Sequence, residues 1–383
     1  MVDGAVIFAQ VLTQRYQPPE AFGSIGEMGP AEETVAGEPK PSAMDKRSSL
    51  LSRRGRSWVI RAGAAAAALL LTIGLRSVVP RGGAASLATT AVQLHITPAA
   101  PVQGDTLTVS IIAAGGSGVR VRFDGADVSA FVLPDGSWRA LIGTDPDVAA
   151  TTHQVGVSLV TGSRLSGWTS EPVWISPGHF GVRTLNLPPG TIGLITLKNL
   201  IAEQRALGPV LSRHTPVALW VGTFQAPSTG AMDSPYGQQS VYNGHRQWWH
   251  QGVDFAASAG APVVAANAGV VALAQALPLG GNTLVIDHGH GVLTEYLHLS
   301  SFAVHAGARV ERGALIGRIG ATGLVTGPSL HWGLIVNGIP VNPLFWIERH
   351  PGLTSWSRED RARGPSSDHP RTNETAHYSM TIS

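Results

Sequence analysis

WHQGVDF, residues 249–255, decides how this chain folds, because it sets His250 and Asp254 four positions apart around Gly252. A helix brings positions four apart onto one face, and a strand does the same for positions two and four apart. Gly252 and the β-branched Val253 are poor helix formers. The extended reading puts His250, Gly252 and Asp254 on one face and the apolar pair Val253 and Phe255 on the other. The glycine leaves room between two side chains that can ligate a metal.

The same period of two runs through SLHWGLIV (329–336), which places Ser329, His331 and Gly333 together and turns Leu330, Trp332 and Leu334 to the core. In TEYLHL (294–299), Tyr296 and His298 share a face opposite Glu295 and Leu297. Three strands therefore converge His250, Asp254, His298 and His331 on one surface. The chain has no cysteine, so any metal is held by His, Asp or Glu, and no disulfide or thiolate site exists. Two histidines and a carboxylate with one open position form a set that catalytic zinc uses, and a further histidine supplies a base or proton shuttle. Trp249 and Tyr296 are expected to line the substrate groove. His245, His288, His290 and His305 fall in turns or loops, where exposure is expected.

Around this region the chain divides by pattern. Residues 91–178 hold short alternating runs, such as LTVSII, VRVRF and HQVGVSLV, bounded by Gly, Asp and Pro; this spacing predicts a small Ig-like β-sandwich. Asp124, Asp127 and Asp135 sit where turns need them. Residues 179–214 read as a linker that opens on Pro-Pro-Gly and carries a helix over 196–207, and residues 215–349 read as a second all-β domain with hairpin turns at the His-Gly-His-Gly of 288–291 and at Asn337-Gly338. The tail, 350–383, is polar and aperiodic and is expected to be disordered.

Toward the N-terminus, Arg53, Arg54, Arg56 and Arg61 precede an apolar run from Ala62 to Leu75. That run is short for a membrane span and suits a signal peptide or anchor over 53–80, which predicts an exported protein, periplasmic or extracellular, touching the membrane only through that segment. Residues 1–52 read as a disordered or mis-called extension, with Met44 the better start. Charged residues make up 14% of the chain and the formal net charge is +2, with no basic block in the folded region, so nucleic acid is not an expected partner.

In order, SPYG (234–237), HQGVD (250–254), YLHLS (296–300), VERGALIG (310–317) and TGPSLH (326–331) resemble the landmarks of the lysostaphin and LytM-type zinc endopeptidases, over about a third of the chain. The resemblance implies a β-sheet groove domain of the duplicated hybrid type, Zn2+ held by His250, Asp254 and His331, His298 as a catalytic histidine, and peptidoglycan peptides as substrate. One position departs from the pattern: the family finish usually reads T-G-P-H-L-H, and here Ser329 stands at the catalytic position of the first histidine. A hydroxyl donates a hydrogen bond but cannot carry imidazole's positive charge or shuttle its proton at neutral pH. The resemblance with that departure implies an endopeptidase of reduced activity; the alternative is a catalytically impaired wall-binding protein or an activator of other hydrolases. A biotinyl or lipoyl carrier, whose strands are similar to PVVAANAGVVALAQ (262–275), is excluded because no lysine follows Lys198.

Overall fold

A computed structural model describes residues 92–348. The N-terminal extension, the signal or anchor segment and the C-terminal tail expected from sequence lie outside the described residues. Among the described residues no helix is long and apolar enough to cross a membrane.

The chain is all-β. Its first lobe is built from β1 (Val92–Thr97), β2 (Thr106–Ala113), β3 (Gly118–Phe123), β4 (Ala126–Val128), β5 (Ala130–Val132), β6 (Trp138–Gly143), β7 (Thr152–Thr161), β8 (Arg164–Leu165) and β9 (Thr169–Trp174). They form two sheets, ordered β1-β2-β6-β5 and β4-β3-β7-β8 with β9 paired to β7. Inward residues of both sheets, among them Leu107, Val109, Ile111, Val155 and Val157, make the core. The Asp124-Gly125 turn between β3 and β4 has φ of 48° and 87°, the positive pair that tight hairpins require.

The second lobe comprises β10 (Val182–Leu185), α1 (Leu197–Leu211), β11 (Ala231–Ser234), β12 (Gln239–Tyr242), β13 (His245–Trp249), β14 (Gly252–Ala256), β15 (Pro262–Val264), β16 (Gly269–Leu277), β17 (Gly281–Gly289), β18 (Val292–Phe302), β19 (Arg309–Val310), β20 (Leu315–Ile319), β21 (Ser329–Val336), β22 (Ile339–Val341) and α2 (Pro343–Glu348). Most of its strands join one large sheet with the path β11-β14-β21-β18-β17-β16-β19. At its centre the antiparallel register aligns Asp254 with His331 and His331 with Leu297; one row on, Gly252 faces Gly333, which faces Glu295. The expected hairpin turns are present, with His290 and Asn337 both in the left-handed region.

The segment expected to be a linker is built into this lobe. Thr196 caps α1 by accepting from the Asn199 N–H, and Leu207, Val210 and Leu211 of α1 pack on Ala272, Val285, Leu293 and Ile335 of the large sheet. Upstream of the helix, β10 pairs in parallel with β12, setting Arg183 beside Ser240.

The two lobes share a hydrophobic core: Phe131, Leu133 and Leu141 of the sandwich cluster with Val341, Phe345 and Trp346. Trp346 Nε1 donates to Thr106 Oγ1 at 3.0 Å, and Asn337 Nδ2 donates to Leu141 O at 2.8 Å. Two histidines expected to be exposed are buried, His290 by this contact and His288 within the second lobe. His290 is buried because Phe131 stacks on it with ring centroids 3.7 Å apart, and His288 is buried between Ala268 O at 2.7 Å and Thr294 Oγ1 at 2.8 Å. His245 and His305 are exposed.

Candidate metal centre

The SPYGQ turn fixes His250 before any metal is considered. Gly237, at φ 81°, lets the chain double back so that its N–H donates to His250 O while the His250 N–H donates to Gln238 O, both at 2.8 Å. The ring is oriented by the same turn: Nδ1 lies 2.9 Å from Pro235 O, an acceptor, so Nδ1 carries the hydrogen and Nε2 the lone pair. His250 Nε2 then points at Asp254 Oδ1 (2.9 Å) and His331 Nδ1 (3.0 Å), and His331 Nδ1 is itself 2.9 Å from Asp254 Oδ1. These three atoms are the one group among the described residues close enough to share a metal ion.

The donor chemistry fits zinc. A lone pair on Nε2 facing a carboxylate oxygen is repulsive unless a cation lies between them, and two imidazoles plus one carboxylate oxygen leave a fourth tetrahedral position open. Burial pushes the His250 imidazole below its usual pKa despite Asp254 beside it, which favours the neutral form that ligation needs. Burial also works against charge on Asp254, but the His250 and His331 rings hold its carboxyl well below the usual carboxylate range. Its second oxygen is clamped from the linker: Arg183 Nη1 donates to Asp254 Oδ2 at 2.7 Å and to Ser234 Oγ at 2.8 Å, and Nε donates to Ser240 Oγ at 3.2 Å. Asp254 thus presents Oδ1 to the metal position and Oδ2 to a guanidinium.

A cavity of about 420 Å³ opens beside the triad, lined among others by His298, Ser329, Leu297, Glu295, Trp248 and Arg183. His298 is held on two sides. Its N–H donates to Gly280 O and its Nδ1–H to Thr322 O, each at 2.9 Å, which leaves Nε2 as a free lone pair. Burial, with His331 nearby, pushes its pKa down to about 4, so the ring is neutral at pH 7. Gly280 is itself pinned by Glu203 of α1, whose two oxygens accept the Leu279 and Gly280 N–H groups at 2.9 Å. Ser329 opens β21 opposite Ala256, on the same face as His331.

Two residues expected in the groove lie elsewhere. Tyr296 is fully buried, its hydroxyl receiving the Ala266 N–H at 2.9 Å and the Thr294 hydroxyl at 3.0 Å. The cause is His298, which takes φ 65° and bulges the strand: the pairing with β17 slips between Leu284↔Tyr296 and Asn282↔Leu299, so alternation breaks at this point. Glu295, Leu297 and His298 therefore all face the cavity. Trp249 lies outside the cavity lining, donating its Nε1–H to Asp147 Oδ1 of the sandwich at 2.5 Å; Trp248 lines the cavity instead. Arg183 and Glu203 escaped the sequence reading, which set Glu295 on the face opposite His298 and favoured Trp249 over Trp248 as a groove residue. Trp248 had a signal, its place beside His250; Arg183 and Glu203 are single polar residues whose partners lie far along the chain.

Residues 249–343 match the profile of Peptidase family M23. The chain is 50% identical over 95 residues to peptidoglycan DD-endopeptidase ShyA of Vibrio cholerae, covering 25% of this chain and 22% of the relative. It is 40% identical over 123 residues to DD-carboxypeptidase/endopeptidase Mpg of Neisseria meningitidis, covering 32% of this chain and 28% of that one. The matches thus span less than a third of either relative's length. Among solved structures, the catalytic domain of the antimicrobial peptidase lysostaphin from Staphylococcus simulans matches with TM-score 0.29 and 30% identity, over 31% of this chain and 93% of that domain.

Proposed function

From the Peptidase family M23 domain that residues 249–343 form, we propose that this protein is an exported zinc endopeptidase that hydrolyses peptide cross-links of bacterial peptidoglycan. The observation that carries this reading is the convergence of His250 Nε2, Asp254 Oδ1 and His331 Nδ1, 2.9 to 3.0 Å apart, at the edge of a cavity lined by His298. Bound there, zinc supplies Lewis-acid polarisation of a carbonyl and a water of lowered pKa.

The chain's own residues do the rest. Neutral His298, with Nδ1–H tied to Thr322 O, offers Nε2 to take a proton from the attacking water and return it to the leaving amine. Ser329 offers a hydroxyl that can donate to oxygen as charge develops. It cannot deliver a full positive charge, and this supports an enzyme of reduced rate. Arg183 keeps Asp254 aimed by holding its second oxygen. The arginine-flanked apolar segment near the N-terminus supports placement outside the cytoplasm.

Digestion of purified peptidoglycan by the full chain, with and without chelator, tests this. The expected result is one equivalent of zinc and chelator-sensitive release of uncross-linked peptides, both lost in His250→Ala. Wall binding without cleavage at any zinc loading makes the protein a binding or activating factor instead.

A further inference from the structure

Glu203 lies outside the residues that match the peptidase profile, yet it is only 3% exposed and lines the cavity that holds His298. It sits midway along α1, which Leu207, Val210 and Leu211 seat on the large sheet. A buried carboxylate is costly unless donors surround it. Glu203 has two: the Leu279 N–H donates to Oε2 and the Gly280 N–H to Oε1, both at 2.9 Å. These are adjacent amides of the turn that joins β16 to β17.

The carbonyls of the same two residues carry His298. Gly280 O accepts the His298 N–H at 2.9 Å. Leu279 O accepts the Leu324 N–H at 2.7 Å, which ties down the turn holding Thr322, and Thr322 O accepts the His298 Nδ1–H at 2.9 Å. The two turns touch: a Cβ on Gly281 would sit 2.4 Å from Thr322 O, and one on Gly323 would sit 2.3 Å from Leu279 O. Both bonds that hold the left-handed His298 therefore lead back to one pair of residues, and a single carboxylate fixes the amides of that pair. The ring so placed has its centroid 6.5 Å from that of His331.

We propose that Glu203 is a positioning residue for His298, a carboxylate supplied by α1 from outside the matched residues that acts through the 279–281 turn to keep the ring and its free Nε2 in place beside the metal triad. The side-chain type suits the task, since an ionised carboxylate offers two acceptor oxygens to two N–H groups and makes stronger bonds than a neutral acceptor. Glutamine offers one oxygen and sets an NH2 against the other amide. Aspartate keeps both oxygens on a shorter stem. The catalytic consequence rests on the peptidase reading; the hold on the turn does not.

Two measurements test this on the full chain. With isotope-labelled histidine and the metal removed by chelator, NMR reports the His298 ring, its signals assigned by their loss in His298→Ala. Cleavage of a soluble cross-linked peptidoglycan fragment is measured separately on the zinc-loaded chain. The unmodified chain is expected to hold His298 as one Nδ1–H tautomer. Glu203→Gln should show both tautomers and lower kcat by on the order of 10- to 100-fold, as misplacing a reacting group does, with KM and zinc stoichiometry unchanged; Glu203→Asp should recover part of both effects. Leu207→Ala, which loosens the same helix, should lower the melting temperature and leave tautomer and kcat as they were. A single tautomer that survives Glu203→Gln overturns the proposal, and so does Leu207→Ala reproducing both losses. Where Glu203→Gln does not fold, Glu203→Asp takes its place, and an unchanged ring and kcat in that variant overturn the proposal equally. A tautomer change in a chain that cleaves nothing supports the hold of Glu203 and removes the peptidase reading, whereas cleavage unaffected by Glu203→Gln removes the positioning role and leaves the peptidase standing.

Discussion

His250, Asp254 and His331 were legible in the sequence because each strand's period of two is visible locally and two of the three fall within one short segment. What the sequence could not show is how each is held. Arg183 reaches Asp254 through a parallel pairing of β10 with β12, and no local pattern announces that pairing. Replacing Arg183 by Gln should weaken zinc binding by about 10- to 100-fold, the usual consequence of removing a partner that orients a ligand; competition with a chromophoric chelator measures it, and Arg183→Lys should recover part of the loss. At the other side of the cavity, Ser329→His restores an imidazole on the face that His331 shares. We expect kcat to rise by on the order of 10²-fold, the reverse of losing one such donor, with zinc affinity little changed. An unchanged kcat would mean that Ser329 does not limit the rate.

Strand periodicity served well until an element stopped being regular. Tyr296 and His298 read as one face, and they are not, because the left-handed His298 inserts a bulge that turns Leu297 and His298 the same way. Nothing in LHL marks such a residue, since the conformation is imposed by the Gly280 and Thr322 carbonyls that receive its two N–H groups. Regular pairing elsewhere is equally exacting. Gly252→Ala would place a methyl 2.5 Å from Trp332 O and 2.6 Å from His331 Nε2. The variant should lose about 1–3 kcal/mol of stability, as overpacking does, and bind zinc more weakly because His331 must move; thermal unfolding and metal titration report the two effects.

In the sandwich, the β3–β4 turn carries a titrating pair. Burial disfavours charge on His153, but its bonds to Ala149 O and Asp124, 2.7 and 2.6 Å long, raise its pKa above 6.5. Burial likewise opposes charge on Asp124, while the Gln154 N–H and His153 lower its pKa below 3.8. A raised histidine stabilises fully below the unfolded value of 6.5 and loses its contribution as pH rises through the folded one; the depressed aspartate contributes above 3.8 and fades as pH falls through its folded value. Asp124→Asn should therefore lower the melting temperature more at about pH 5 than at about pH 9.

At the scale of the molecule, the sequence divides the chain into a sandwich, a linker and a groove domain, whereas the described residues form a more continuous body. The seam was invisible because its contacts, Phe131 on His290 and Thr106 with Trp346, join residues that each look like ordinary core or turn positions of their own lobe. Calorimetry should accordingly show one unfolding transition for both lobes, with Trp346→Ala costing about 3–5 kcal/mol and lowering that single transition rather than splitting it. Two separate transitions would mean that the seam is a docking contact and not a shared core.

The residues around the metal position span the chain from Arg183 on β10 to His331 on β21. A ribosome emits them in order, so a nascent chain holds Arg183, His250 and Asp254 long before the strand bearing His331 has been made. Synthesis from the N-terminus therefore yields no competent cleft until almost the last described strand is paired. A polypeptide that stops short of β21 lacks the complete triad by topology alone, whatever else of it has folded.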